Sequence, residues 1–354
     1  MKRRDFLKTG AVATSAAVIA TPAIASGKIE WKLPTSFPAR APGVGTNSAT
    51  FAKRVAEMSD GRLTFKVFSG GELVPPFAVE DAVQQGTAEI GHSTPFYAAS
   101  KNSANHFFGA IPFGLTTAEH TAWLRWGGGQ KLWDELYSER NLVPFYSGNS
   151  SVQSAGWFKK EIKSLKDLSG LNMRIAGMGG EIMRKLGVNA VLMPPPEIFP
   201  AFNSGALDAA EWVGPYLDQG FGLSKVAKYC YYPSFQEPNA SLEVVVNKDA
   251  YDSLPSDLKA IIANAAEAAS VETLAQFTYF DAIAFEKLKA QGVIFGEYPE
   301  DVVKALKAAS AEVMDEHSEK NPDFARIRES YDAYLAKAIA FGGAYMGSTL
   351  RQRS

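Results

Sequence analysis

Apolar residues recur along this chain in two alternating rhythms. Residues 29–36, IEWKLPTS, alternate apolar and polar before a turn, which is the period of a strand. Over 46–59 the period lengthens. Phe51, Val55 and Met58 recur at spacings of three and four, which predicts a helix, and Asp60-Gly61 breaks it. LTFKVFSG is the next strand, a second helix over about 77–85 stops at Gly86, and AEIGHSTP is a third strand. Strand and helix in strict alternation predict βαβ units and a largely parallel sheet.

The same grammar then returns. AVQQGTAEIGHSTPFY (82–97) and AFNSGALDAAEWVGPY (201–216) each run helix, Gly, acidic loop, buried strand and Pro-aromatic turn. Gly86 matches Gly205, Glu89 lies near the place of Asp208, and Pro95 plays the part of Pro215. Two domains of related construction are expected. Between them, NLVPFYSGNSSVQSAGWF (141–158) reads as strand, turn and strand, and YYPSFQEPNASLEVVVN (231–247) reads as a second crossing. A chain that passes twice between two α/β lobes makes a hinged, two-lobed shape. Residues 256–291 form one helical pattern, with Ser256 as N-cap and Gly292 as stop, long enough to brace both lobes. The expected division is 26–150 plus about 238–255 for lobe I, and 151–237 plus C-terminal helices over about 293–354 for lobe II.

The ends and the charge narrow the setting. MKRRDFLKTGAVATSAAVIATPAIAS has a basic start, an Ala-rich apolar stretch and Ala23-Ile24-Ala25 as a small-x-small cleavage site, so 1–25 are expected to be a cleaved export signal. Arg3-Arg4-Asp5-Phe6-Leu7-Lys8 fits the twin-arginine pattern, whose route carries folded proteins to the periplasm. The formal net charge is −2; residues 1–25 hold four Lys/Arg and one Asp, so the remainder carries −5. That balance offers no basic footprint for nucleic acid. Cys230 is the only cysteine, which excludes an intrachain disulfide and reads as a buried small hydrophobe.

Motifs for enzyme chemistry are few. His92, His106, His120 and His317 share no metal-ligand spacing, and neither a G-x-S-x-G elbow nor a P-loop occurs. Gly177 and Gly179 begin a dinucleotide fingerprint, but Ile182 stands where its third glycine belongs. The twin-arginine pattern keeps an exported cofactor-dependent enzyme as an alternative. In LNMRIAG (171–177), Arg174 lies on a strand whose faces are covered, so its guanidinium needs a partner. An internal Asp or Glu is one option. A ligand carboxylate, gripped by two parallel hydrogen bonds, is the other. The strand's carboxyl end is where α/β sheets bind ligands, and the following glycines read as a tight turn that lets an anion approach. AEWVGPY sets Glu211 and Trp212 at another strand end, a carboxylate able to hold a cation beside a flat indole wall.

The signal, KLPTSFP, GTAEIGHSTPFY, LKDLSGLNMRIAGMGG, ALDAAEWVGPY and YYPSFQEPNASLEVVVNK together resemble the DctP-type substrate-binding proteins of TRAP transporters. The likeness is greatest to the branch that captures 2-oxo acids such as pyruvate. The resemblance implies a periplasmic receptor and not an enzyme, with two α/β lobes that close on a carboxylate and deliver it to small and large ion-driven membrane subunits. Arg174 would pair with the substrate carboxylate. A bridging metal ion, Na⁺ or Ca²⁺, would be held by the Gln153 side-chain oxygen, the Glu211 carboxylate and the Trp212 backbone carbonyl, with no organic cofactor. Phe37 and Tyr97 would form the opposite wall. Relatives often carry an aromatic residue or His before Glu-Pro; here the stretch is Ser234-Phe235-Gln236-Glu237-Pro238, which makes Glu237 the first choice for the last ligand and Gln236 the second. With Glu237 the charges balance around Ca²⁺, and with Gln236 around Na⁺. The apolar tail DAYLAKAIAFGGAYMGSTLRQRS fits the branch's use of a C-terminal helix for homodimers. Lactate, an aromatic acid or a C4-dicarboxylate remain alternative cargoes, and an ABC-type receptor an alternative system.

Overall fold

The structure, a computed structural model, describes residues 27–353; the expected export signal over 1–25 lies outside the described residues. The first lobe contains β1 (Ile29–Pro34), β2 (Leu63–Phe68), β3 (Ile90–Ser93) and β4 (Leu142–Asn149). The second contains β5 (Gly156–Phe158), β6 (Asn172–Arg174), β7 (Asn189–Val191), β8 (Ala209–Ala210) and β9 (Tyr229–Tyr231). The chain then returns to the first sheet with β10 (Ser241–Asn247) and to the second with β11 (Ile294–Gly296).

Both sheets are mixed, where the alternation of strand and helix predicted them largely parallel. β1 and β2 pair in parallel, and a Thr35–His92 bridge joins them to β3, but β10 runs antiparallel between β3 and β4. The second sheet has the order β11-β9-β5-β8-β6-β7, and β5 opposes both β8 and β9. β5 and β10 are the strands entered directly from a crossing between lobes. No helix intervenes to reverse the chain, so they run against their neighbours. The two crossings lie side by side: Ser150 N–H donates to Ala240 O (3.0 Å), and Ser234 N–H to Gln153 O (2.9 Å).

The internal echo has a structural basis. Gly86 and Gly205 both take a left-handed backbone, φ 73° and 89°, which a side chain would disfavour. Glu89 accepts the N–H of Lys32 in β1, and Asp208 accepts that of Asn172 in β6, each at 2.9 Å. The acid of each repeat therefore secures the strand beside it.

The long helix Ser256–Ala290 spans roughly 52 Å at 1.5 Å per residue. Leu258, Ile262, Ala265 and Ala269 bury one stripe against the first lobe, and the helix also packs on Pro215–Phe221 of the second. Phe277 fits only because Gly43 lacks a side chain; a Cβ there would lie 2.3 Å from the ring. Ser256 is the helix's first residue and Pro255 its N-cap, so the expected serine cap is not made; Gly292 ends the helix as predicted, with φ 89°. The C-terminal helices divide at Asn321. Glu300–Lys320 lies on the second lobe, tied by His317 to Glu181 at 2.9 Å. Pro322–Ala344 instead buries Phe324 and Tyr331 against Phe107 and Trp123 of the first, so the stretch expected to stay with lobe II is shared between both.

Candidate ligand-binding site

Strand direction gathers the polar residues at one edge of each sheet. β6 ends at Arg174, and β8 ends just before Glu211 and Trp212. β5 runs the opposite way, so Gln153, which precedes it, reaches the same edge; next to it Ser154 N–H donates to Val213 O at 2.7 Å. From the first lobe, Phe37 follows β1, and Thr94 and Tyr97 follow β3. The crossing from β9 to β10 carries Glu237 between the lobes. Phe37, Thr94, Tyr97, Gln153, Arg174, Trp212 and Glu237 line one cavity of about 30 Å³.

Arg174 is wholly buried, at 0 % exposure. Nη1 donates to the backbone oxygen and to Oε2 of Glu211 (2.5 and 2.9 Å), and Nε donates to Met193 O at 3.4 Å. The internal carboxylate is therefore Glu211, while Nη2 makes no hydrogen bond of its own, with the Tyr97 hydroxyl beside the guanidinium. The guanidinium also lies 5.3 Å from the centre of the Trp212 ring, a cation–π distance. Glu211 Oε2 accepts from Ala176 N–H at 3.3 Å, while Oε1 is unpartnered. Gln153 is oriented by its Nε2, which donates to Ser150 Oγ at 2.8 Å, and its Oε1 is likewise unpartnered. Glu237 is fixed through its backbone N–H to Ser234 Oγ (2.9 Å), leaving Oε1 without a partner.

Electrostatics at the site are unbalanced. Burial raises the pKa of both Glu211 and Glu237, and the charge of Glu211 raises Glu237 further, against the pull of Arg174. Burial also raises the Tyr97 hydroxyl, which Arg174 partly opposes. With both carboxylates ionised, one guanidinium would face two negative charges out of water, which is why burial resists their ionisation. Among the described residues no group of three or more His, Cys, Asp and Glu is arranged for a metal ion. A cation here must therefore use amide, carbonyl and ligand oxygens as well. The unpartnered oxygens of Gln153, Glu211 and Glu237 are hard donors of the kind Na⁺ and Ca²⁺ take, so the residues present fit such an ion.

The glycine turn after β6 has a purpose the sequence did not reveal. A Cβ on Gly179 would lie 2.8 Å from Gln236 Cβ, so the turn is bare to admit the second crossing and not to admit an anion directly. Glu237 lines the cavity, while Glu211 and Gln236 lie behind its wall, Gln236 buried against this turn with both Oε1 and Nε2 unpartnered. Phe37 and Tyr97 line the cavity and pack on one another, ring centres 5.9 Å apart. Two functional neighbours went unnoticed in the sequence. Thr94 lines the cavity, and Asp218 supports its floor by accepting from Trp157 Nε1 (2.7 Å) and Val213 N–H (3.0 Å). Burial pushes the Asp218 carboxyl up to about 8. Thr94 lies within GTAEIGHSTPFY but was not singled out there, and only the acidic position three residues after Pro215 hinted at Asp218.

Comparison with known proteins fits this geometry. The chain is 39 % identical, over 96 % of both lengths, to a monocarboxylate 2-oxoacid-binding periplasmic protein of Nostoc sp.. It superposes with TM-score 0.88 on a TRAP periplasmic solute-binding protein of Pseudoalteromonas atlantica with bound sodium and pyruvate, at 35 % identity, covering 92 % of this chain and 99 % of that one. A TRAP solute-binding protein of Bordetella bronchiseptica, a mixed-occupancy dimer with copurified calcium and picolinate, gives TM-score 0.90 at 37 % identity, covering 92 % and 97 %. The sequence model of DctP, described as bacterial extracellular solute-binding protein, family 7, matches residues 37–321. With the family model matching most of the chain and a two-lobed α/β fold shared with these solved relatives, this protein belongs to the DctP family, a solute receptor and not an enzyme.

Proposed function

We propose that this protein is the periplasmic receptor of a TRAP transporter for a short 2-oxo monocarboxylate of the pyruvate class. The observation that carries this reading is the buried Arg174, whose Nη2 is unpartnered in a cavity shared with the unpartnered Gln153 Oε1 and Glu237 Oε1. Arg174 holds the carboxylate, and Trp212, Phe37 and Tyr97 wall its short apolar part. Gln153, Glu211, Glu237 and the Trp212 carbonyl hold the cation, Glu237 in preference to Gln236. When bound, that ion supplies the positive charge that lets both carboxylates and the ligand's oxygens share a dry site. Ligand contacts from both lobes favour the closed state, since a ligand shifts an equilibrium only by its differential affinity.

Delivery is to the small and large membrane subunits of the transporter, after export by the twin-arginine route. A homodimer through the C-terminal helix is supported by the exposed Ile339 and Phe341 on one helix, with Tyr345 at its end, and by the exposed Val271 and Tyr279 on the long helix. Calorimetry with pyruvate tests the reading. Binding is expected in sodium or calcium and is expected to weaken at least tenfold in potassium buffer with a chelator. Affinity indifferent to both cations, or tighter binding of picolinate than of pyruvate, contradicts it.

A further inference from the structure

Of the four hydroxyls of Thr35, Ser36, Ser93 and Thr94, where β1 and β3 end, three are paired. Thr35 bonds to His92 Nδ1 and Ser36 to Ser93, both at 2.8 Å. Thr94 Oγ1 has no partner, although the residue is buried at 3 % exposure. Its position makes this unusual. Thr94 is the N-cap of the short helix Pro95–Ala98, where a threonine hydroxyl ordinarily accepts a backbone N–H, and here it makes no such bond. The backbone is already served, because Tyr97 N–H donates to Thr94 O at 3.1 Å. The hydroxyl is thus left over from local structure, and Thr94 lines the cavity that Arg174 enters from the other lobe. A buried hydroxyl without a partner is destabilising, so its retention calls for a partner from outside the chain. The lining of that cavity comes from both lobes, Thr94 from the first and Arg174 from the second.

We infer that Thr94 is the first lobe's polar contact with the bound acid, its hydroxyl donating to a ligand oxygen while Arg174 holds the carboxylate from the second lobe. This rests on the carboxylate-receptor reading above and adds a positioning residue to it. Of the other first-lobe hydroxyls on the wall, Ser241 is already bonded to His120 at 3.2 Å and that of Tyr97 lies against Arg174, which leaves Thr94 as the one without a partner in the chain. Bridging two lobes through one small molecule ties closure to the oxygen pattern of the cargo and not only to its charge.

Thr94→Val and Thr94→Ser separate the hydroxyl from the methyl. Calorimetry with pyruvate, in buffer holding both sodium and calcium, is expected to show about a tenfold loss for Thr94→Val and less than threefold for Thr94→Ser. Melting of the same proteins without pyruvate is expected to show Thr94→Val as stable as wild type or more so, because it deletes an unpartnered buried hydroxyl. Weakened binding with undiminished stability is a signature that a merely structural threonine cannot give. Wild-type affinity in Thr94→Val, or equal losses in both variants, overturns the assignment. A wild-type protein that binds no 2-oxo acid overturns the receptor reading first, and this inference with it.

Discussion

Arg174→Lys isolates the fork from the charge. Lysine keeps a positive charge opposite Glu211, so the carboxylate retains a counter-ion in its buried setting. What it loses is geometry. Arg174 serves Glu211 through Nη1 and Met193 O through Nε while presenting Nη2 to the cavity, and a single ammonium cannot be in all three places. The charge-assisted hydrogen bond from Nη2 to the ligand is therefore lost, at about 1.5–3 kcal/mol. At 1.4 kcal/mol per decade, the dissociation constant for pyruvate should rise roughly 10–150-fold. Titration calorimetry at fixed sodium and calcium measures this directly, and the unliganded melting temperature should change little. Arg174→Met is the contrasting control, since it strands Glu211 and should cost about 3–5 kcal/mol of stability. A lysine variant that binds pyruvate as tightly as the wild type refutes the role given to the guanidinium.

Gly179→Ala should weaken ligand binding at least tenfold by displacing Gln236 and with it Glu237, whereas Gly180→Ala, whose Cβ would meet nothing closer than 3.5 Å, should bind normally. Glu243, buried and bonded to the Tyr137 hydroxyl at 2.9 Å, has its pKa raised to about 8 by burial and by Glu80, with Arg140 and Lys101 opposing. Its protonated form supports the fold fully below about 4.5, and that support is lost as pH rises through about 8. Denaturant melts at pH 5 and pH 8 should therefore show Glu243→Gln gaining on the wild type as pH rises; a pH-independent gap contradicts this. Phe341→Glu, at a site 60 % exposed, should convert a dimer to monomer in light scattering, and an unaltered mass would remove that helix from the interface.

Local rhythm made much of this fold legible. Helix breaks at Gly86, Gly205 and Gly292 follow from their left-handed backbones, and the two crossings follow from adjacent strand patterns with only a turn between. Strand direction was less accessible, because β5 and β10 are set antiparallel by partners far away in sequence. The same distance hid parts of the site. Arg174 is conspicuous as a charge in an apolar run, and Glu211-Trp212 as a polar pair after buried alanines. Glu237 and Gln236 sit on an irregular crossing with no period to tell which side chain turns inward. Thr94 looked like an ordinary residue before a proline, and only its lack of a partner in three dimensions sets it apart.

The unpartnered groups around the cavity have a consequence for traffic. Arg174, Gln153, Glu211, Glu237 and Thr94 each carry an atom that nothing in the protein satisfies. A molecule lacking the matching oxygens leaves several of them stranded when the lobes come together, and each stranded group costs about 1–3 kcal/mol. On the receptor function proposed above, discrimination would thereby be exercised at closure, after a solute has already entered the cleft. If the membrane subunits accept only closed receptors, misloaded copies never join the queue, and the ion gradient is not drained on the wrong passenger.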